Sequence, residues 1–157
     1  MFSIGDKILY PMHGAGIIQN IEERDILGER KEYYILKLPY GDMNVMLPVD
    51  SCMEIGIRPI IESCDVEKVF ITLSDETSEM SNNWNKRYRE NMEKLKTGDI
   101  IKVAEVVRNL TRTDRIKKLS TGEKKMLSNA KQILESELIL AGEIDPEDVD
   151  ILVEEAV

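Results

Sequence analysis

Apolar positions along this chain change their period near residue 60. Before that point they fall in short runs. The first is Asp6–Tyr10, stopped by Pro11; the next is Ile17-Ile18-Gln19-Asn20-Ile21, opened by Gly14-Ala15-Gly16. Glu32–Leu38 follows, and then Met43–Leu47, which is closed by Pro48. Short runs of β-branched and aromatic side chains between turn residues predict strands. Gly28 marks one turn, and Pro39-Tyr40-Gly41-Asp42 marks another. Four or five strands within about 60 residues predict a small, strongly bent antiparallel barrel or half-barrel. Such a sheet buries little area, so it is expected to lean on the following segment or on a partner.

Beyond Glu62 the spacing is helical. Val66, Val69, Phe70 and Leu73 share one face, with Asp65 as the expected cap. Ser74–Met80 is polar and reads as a loop or a helix entry. Trp84, Tyr88, Met92 and Leu95 form a stripe from Asn83 to Lys96, and Gly98 ends that helix. Asp99 caps the next, whose stripe is Ile100, Val103, Ala104, Val107 and Leu110, widened by Ile101 and Val106. Ser120-Thr121-Gly122-Glu123 spells a capping box before Met126, Leu127, Ala130, Ile133, Leu134 and Leu138, with Gly142 as the stop. Asp145-Pro146 opens a last acidic helix through Val149, Leu152 and Val153. The expected fold class is α+β, with a small antiparallel β-domain over 1–61 and an all-helical domain of about five helices over 62–157.

Composition narrows the function. Of 157 residues, 42% are apolar and 32% charged, which suits a folded chain and not a disordered one. There is no long apolar run and no basic-then-apolar leader in MFSIGDKILYP, so a cytoplasmic protein without a membrane partner is expected. Cys52 and Cys64 fit no metal knuckle and read as reduced, buried, small apolar residues. His13 is the single histidine, in a turn, with no identified partner. Gly14-Ala15-Gly16 precedes a strand instead of a helix, which argues against phosphate cradling. Neither catalysis, a cofactor nor a metal is expected.

Charge is unevenly distributed. The formal charge is −9, yet residues 84–132 hold 14 basic and 6 acidic side chains. Residues 1–83 hold 7 and 15, and residues 133–157 hold none and 9. The central stretch therefore invites a polyanion, although a lysine-rich solvated face would look the same. Trp84 heads its helix beside Lys86, Arg87 and Arg89. The spacing allows a core anchor or an exposed aromatic that wedges against a base while the cations hold phosphates. Lys117-Lys118 and Lys124-Lys125 flank the helix start at Ser120, where free backbone N–H groups favour anions. Arg108, Arg112 and Arg115 recur on one helix face, as phosphate contacts or as a solvated face.

A longer ordered series then becomes visible. It contains Gly5-Asp6, Tyr10-Pro11, His13-Gly14, Gly28-Glu29, Lys31-Glu32-Tyr33 and Gly41-Asp42. It continues with Asn83-Trp84, Arg87-Tyr88, Asn91, Glu93-Lys94-Leu95 and Gly98-Asp99. Lys102-Val103-Ala104-Glu105-Val106-Val107-Arg108, Leu119-Ser120, Gly122-Glu123-Lys124 and Met126-Leu127 complete it. Through these residues the chain resembles the CarD (CdnL) family of bacterial transcription regulators along nearly its whole length.

The resemblance implies a Tudor-like, SH3-like β-domain that binds the β subunit of RNA polymerase, similar to the polymerase-interaction domain of transcription-repair coupling factors. It also implies a helical domain that contacts promoter DNA. Trp84 matches a tryptophan that wedges into the minor groove at the upstream edge of the bubble, and Lys86, Arg89 and Lys124 match residues near the backbone. Arg87 and Lys125 join the expected DNA set from the same two basic helix starts. Arg24 matches a polymerase-contacting arginine, whereas Met46 stands where some members carry a second one, which implies a more apolar contact. The expected function is stabilisation of the promoter open complex, with DNA binding weak and nonspecific in isolation. The rival is a protein-only adaptor without a DNA role. A monomer is expected, and strand exchange between β-domains offers a route to a dimer.

Overall fold

The structure is a computed structural model that describes residues 2–39 and 43–157. Three residues of the second expected turn, Tyr40, Gly41 and Asp42, lie outside the described residues. Five strands form one antiparallel sheet in the order β4-β3-β2-β1-β5: β1 (Lys7–Tyr10), β2 (Gly14–Ile26), β3 (Glu29–Lys37), β4 (Asn44–Pro48) and β5 (Arg58–Pro59). Strand β2 runs further than the sequence pattern suggested, because its polar half, Glu22–Ile26, pairs with Glu29–Tyr33 as a long hairpin. Pairing with β3 satisfies its backbone there, and no apolar pattern is needed to call the strand into being. A bulge at Gln19 shifts the register between Ile18 and Asn20 and bends the ribbon.

The inner face of the sheet buries Ile8, Ile18, Tyr34, Leu36, Leu38 and Leu47 with Cys52. Cys52 opens a short helix, α1 (Cys52–Ile55), that covers the end of the sheet. Five longer helices follow: α2 (Val66–Ser74), α3 (Trp84–Lys96), α4 (Ile100–Ile116), α5 (Thr121–Gly142) and α6 (Pro146–Ala156). The α+β class with a Tudor-like β-domain and a helical domain therefore holds. The expected caps form at Asp99, Ser120 and Asp145, whose side chains accept from Ile101 N, Glu123 N and Glu147 N. Two details differ. Asp65 sits in a 3₁₀ turn with helical dihedrals and pairs with Lys68 instead of capping α2. At the end of α5 the left-handed residue is Glu143, at φ +50, one place beyond Gly142.

The helical core is continuous with the sheet. Leu9 of β1 and Ala15 of β2 belong to the same buried cluster as Val103, Val107, Ile133, Leu134 and Leu138. The small β-domain leans on the helices as anticipated, with β2 crossing α5.

Candidate nucleic-acid interface

Helix α3 starts at Trp84 because Asn83 is extended and its side chain accepts from Lys86 N at 3.2 Å. A residue in that first position lies at the rim of the core stripe, and the rim is where the indole sits. Trp84 is 41% exposed, whereas Tyr88, one turn on, packs against the helical core. The Tyr88 ring stacks under the indole at 5.1 Å and 18°. Trp84 Nε1 donates to Ser120 Oγ at 3.0 Å. The backbone of Gly122 closes in from the side, and a Cβ there would approach Cζ2 to 3.3 Å. The two readings of Trp84 thus resolve into an exposed aromatic whose back is fixed by the fold.

Ser120 does a second job, accepting from Glu123 N at 3.3 Å. The expected capping box is only half made. Glu123 does not return to the serine backbone; its nearly buried carboxylate receives Arg87 Nε and Nη2, both at 2.9 Å. Arg87 also donates Nη1 to Ser81 O at 3.0 Å. The bond to Glu123 raises the Arg87 pKa further above its ordinary value, despite burial acting the other way. Arg87 is therefore engaged within the fold, joining α3 to α5 beneath Trp84, where the sequence suggested a phosphate contact.

The other cations of the expected set face solvent. Lys86 is exposed, and its one ion pair among the described residues is with Glu90, at 3.9 Å. Arg89, Lys124 and Lys125 are exposed and, among the described residues, make no ion pair; the same holds for Lys117 and Lys118. Trp84, Lys117, Lys118 and the start of α5 line a groove of about 420 Å³. A helix N-terminus, lysines on both sides and an exposed aromatic suit a phosphodiester beside an unstacked base.

The arginines of α4 do not join this surface. Arg108 is 3% exposed and holds Asn109 Oδ1, Thr72 O and Ser78 Oγ. Arg112 donates to Leu73 O, Asp75 O and Thr77 Oγ1. Arg115 donates to Glu154 and to Val157 O. All three bond backbone carbonyls at or near the ends of α2 and α6, so the phosphate-contact reading of this face is corrected. The acidic terminus is a packed helix: Lys131 reaches Asp150 at 2.7 Å and Glu154 at 2.6 Å.

On the β-domain, the alternation of the strands places Arg24 and Met46 on the same outer face. Met46 pairs with Ile35, Ile35 with Asn20, and Arg24 with Lys31, so residues 20, 22, 24, 31, 33, 35 and 46 all point outward. Arg24 is half-exposed and bonded to Glu22 at 2.6 and 2.9 Å. Strand β4, which carries Met46, is an edge of the sheet. His13 is exposed and lies against the Tyr10 ring at 4.1 Å. Cys52 is buried, which pushes its thiol pKa up, but Cys64 is exposed, contrary to expectation. It lies in the 3₁₀ turn that leads into α2 and belongs to neither core. Among the described residues, no group of three or more His, Cys, Asp or Glu could hold a metal, and no helix is long and apolar enough to cross a membrane.

Ser120, Gly122 and Glu123 support Trp84 from 36 or more positions along the chain, and no local pattern in the sequence announces the contact. Comparison with known proteins finds two domain types along the chain. Residues 2–61 match the CarD-like/TRCF RID domain, a domain type whose partner is RNA polymerase. Residues 68–154 match the CarD, C-terminal domain. A Bacillus subtilis (strain 168) protein named "Putative transcription factor YdeB" is 43% identical over 138 residues, spanning 88% of this chain and 90% of that protein. The chain, with both domain types in order, belongs to the CarD family of transcription-associated factors.

Proposed function

We propose that the protein docks on the β subunit of RNA polymerase through the outer face of its sheet, with Arg24 and Met46 at the contact. From there it prolongs the life of the promoter open complex. Trp84 enters the minor groove at the upstream edge of the bubble, while Lys86, Arg89, Lys124 and Lys125 hold the flanking phosphates, joined by Lys117 and Lys118. Arg87 acts indirectly, by fixing Glu123 and the α5 start beneath the indole. No catalytic step is involved, and the protein works as a monomer.

The observation that carries this reading is the exposed indole of Trp84, already held by Tyr88 and Ser120 and framed by unpaired cations. Ordering a side chain on binding costs about 0.5–1.5 kcal/mol, and here much of that ordering is done in the free protein. Stacking on a base is worth about 1–3 kcal/mol, while a tenfold longer lifetime needs only about 1.4 kcal/mol. One aromatic is therefore enough. A net charge of −9 keeps the attraction for free DNA low, so the polymerase contact supplies the local concentration.

The test is the dissociation lifetime of polymerase–promoter open complexes with the protein, without it, and with Trp84→Ala. A several-fold extension that the folded variant loses supports the wedge. An unchanged lifetime, despite confirmed polymerase binding, overturns it in favour of an adaptor that joins two proteins.

A further inference from the structure

Helix α5 is gripped at two places that the proposed function needs. Its start holds the Trp84 edge through Ser120, Gly122 and Glu123. Its middle holds the sheet. Ser136, 2% exposed, accepts from Ala15 N at 2.8 Å and donates to Ile133 O at 2.7 Å. Gly14, at φ +114, brings the β2 backbone so close that a Cβ would lie 2.8 Å from Ser136 Oγ. The next residue, Glu137, is 1% exposed and receives Arg58 Nη1 at 2.7 Å, Arg58 Nη2 at 2.8 Å and Ile61 N at 2.8 Å. Arg58 belongs to β5 and also donates to Gly98 O, at 2.7 and 3.0 Å, where α3 passes into α4.

We infer that α5 is a strut that sets where Trp84 lies relative to the polymerase-binding sheet, with Glu137 and Arg58 as the positioning residues that lock it. The inference rests on the function proposed above. The rise of a helix puts Ser136 about 24 Å from Ser120, so a small tilt at the junction moves the indole by several ångströms. A purely apolar junction tolerates sliding and repacking. A bidentate guanidinium–carboxylate pair does not, because its bonds are directional and a broken member stays buried and unpaired. As a source of stability a buried pair is a weak device, but as a source of orientation it is a strong one. A tether raises local concentration only when its geometry lets both contacts form together, and the lock supplies that geometry.

The test uses the full chain carrying Glu137→Gln, which keeps an acceptor for Ile61 N, and Arg58→Lys, which keeps the charge but loses the fork. Both are compared with wild type for melting temperature, for open-complex lifetime as a function of protein concentration, and for domain geometry. Geometry is read as the distance distribution between spin labels at Leu27→Cys and Ser128→Cys, with Cys52 and Cys64 replaced by serine. For a folded Glu137→Gln we expect a broader distribution and a plateau lifetime extension reduced about three- to tenfold. The half-effect concentration should stay within about twofold, since the polymerase contact is untouched. Arg58→Lys should fall between Glu137→Gln and wild type. A broadened distribution with a full plateau overturns the strut, as does an unchanged distribution or a plateau kept at a higher half-effect concentration. If wild type gives no Trp84-dependent extension, the proposed function itself fails; if it does and Glu137→Gln retains it, only the strut fails.

Discussion

At the scale of single residues, the informative atom is Ser120 Oγ, which accepts from both Trp84 Nε1 and Glu123 N. Ser120→Ala removes an N-cap and frees the indole. The loss of the cap should cost about 1 kcal/mol of stability. Trp84 is the only tryptophan, so its fluorescence reports the second effect without interference. The expected outcome is lower steady-state anisotropy for the variant and a modest fall in the urea midpoint. Unchanged anisotropy would mean that Tyr88 alone holds the ring. Arg87→Met should be far more damaging, because it leaves the Glu123 carboxylate, 4% exposed, without its partner. Removing one member of a buried pair costs about 3–5 kcal/mol, and the double variant Arg87→Met/Glu123→Leu should recover much of it in chemical denaturation. Such recovery would separate a structural pair from a phosphate contact.

At the scale of elements, α6 meets α5 through buried Val149 and Val153 and through one charged cluster. Burial, then a hydrogen bond with Asp150, pushes the Glu135 pKa up to about 8, while Lys131 first of all lowers that of Asp150. Glu135 Oε2 is buried and, among the described residues, has no hydrogen-bond partner, which fits a carboxyl that burial keeps protonated at neutral pH. Because the folded pKa lies above the ordinary value, Glu135 contributes stability that is fully present below about pH 4.5 and lost as pH rises through 8. Asp150 has the opposite sign, giving stability that is lost in acid. Melting temperature should therefore decline from about pH 5 to pH 8, and Glu135→Gln should flatten that slope and raise the pH 8 midpoint by a few degrees, at about 2–4 °C per kcal/mol. A variant with the wild-type slope would place the titration elsewhere. At the start of α5, Lys124→Ala/Lys125→Ala should weaken DNA binding without changing sequence preference. It should lower the logarithmic salt slope by about 1.8 if both lysines meet phosphates of duplex DNA, as measured by fluorescence titration.

At the scale of the whole molecule, two cores behave as one because β2 is shared between them. Its first residues are packed against α5, and its far half is a solvent-facing hairpin. The sheet was readable because period-two runs and turn residues are local signals, as were the stripes of α3, α4 and α5 and the caps at Asp99, Ser120 and Asp145. The far half of β2 was not, since its strand state comes from pairing and not from its own apolar pattern. The segregation of basic residues into 84–132 was equally plain. What charge counting lacked was the neighbour of each cation. Arg108, Arg112 and Arg115 keep helical spacing as good as that of any exposed face, yet their guanidinium groups are bonded to backbone that folds in from α2 and α6. Arg87 differs from Arg89 only by two positions, and one points to Glu123 while the other faces solvent. Sequence by itself determined most of the elements, the caps at Asp99, Ser120 and Asp145, and the basic stretch, because these depend on residues within a few positions of one another. Tertiary structure alone decided which cations stay free, how Trp84 is held and how α5 is locked to the sheet, because a hydrogen bond is settled by atoms that meet in space, and here they come from 36 to 121 positions apart.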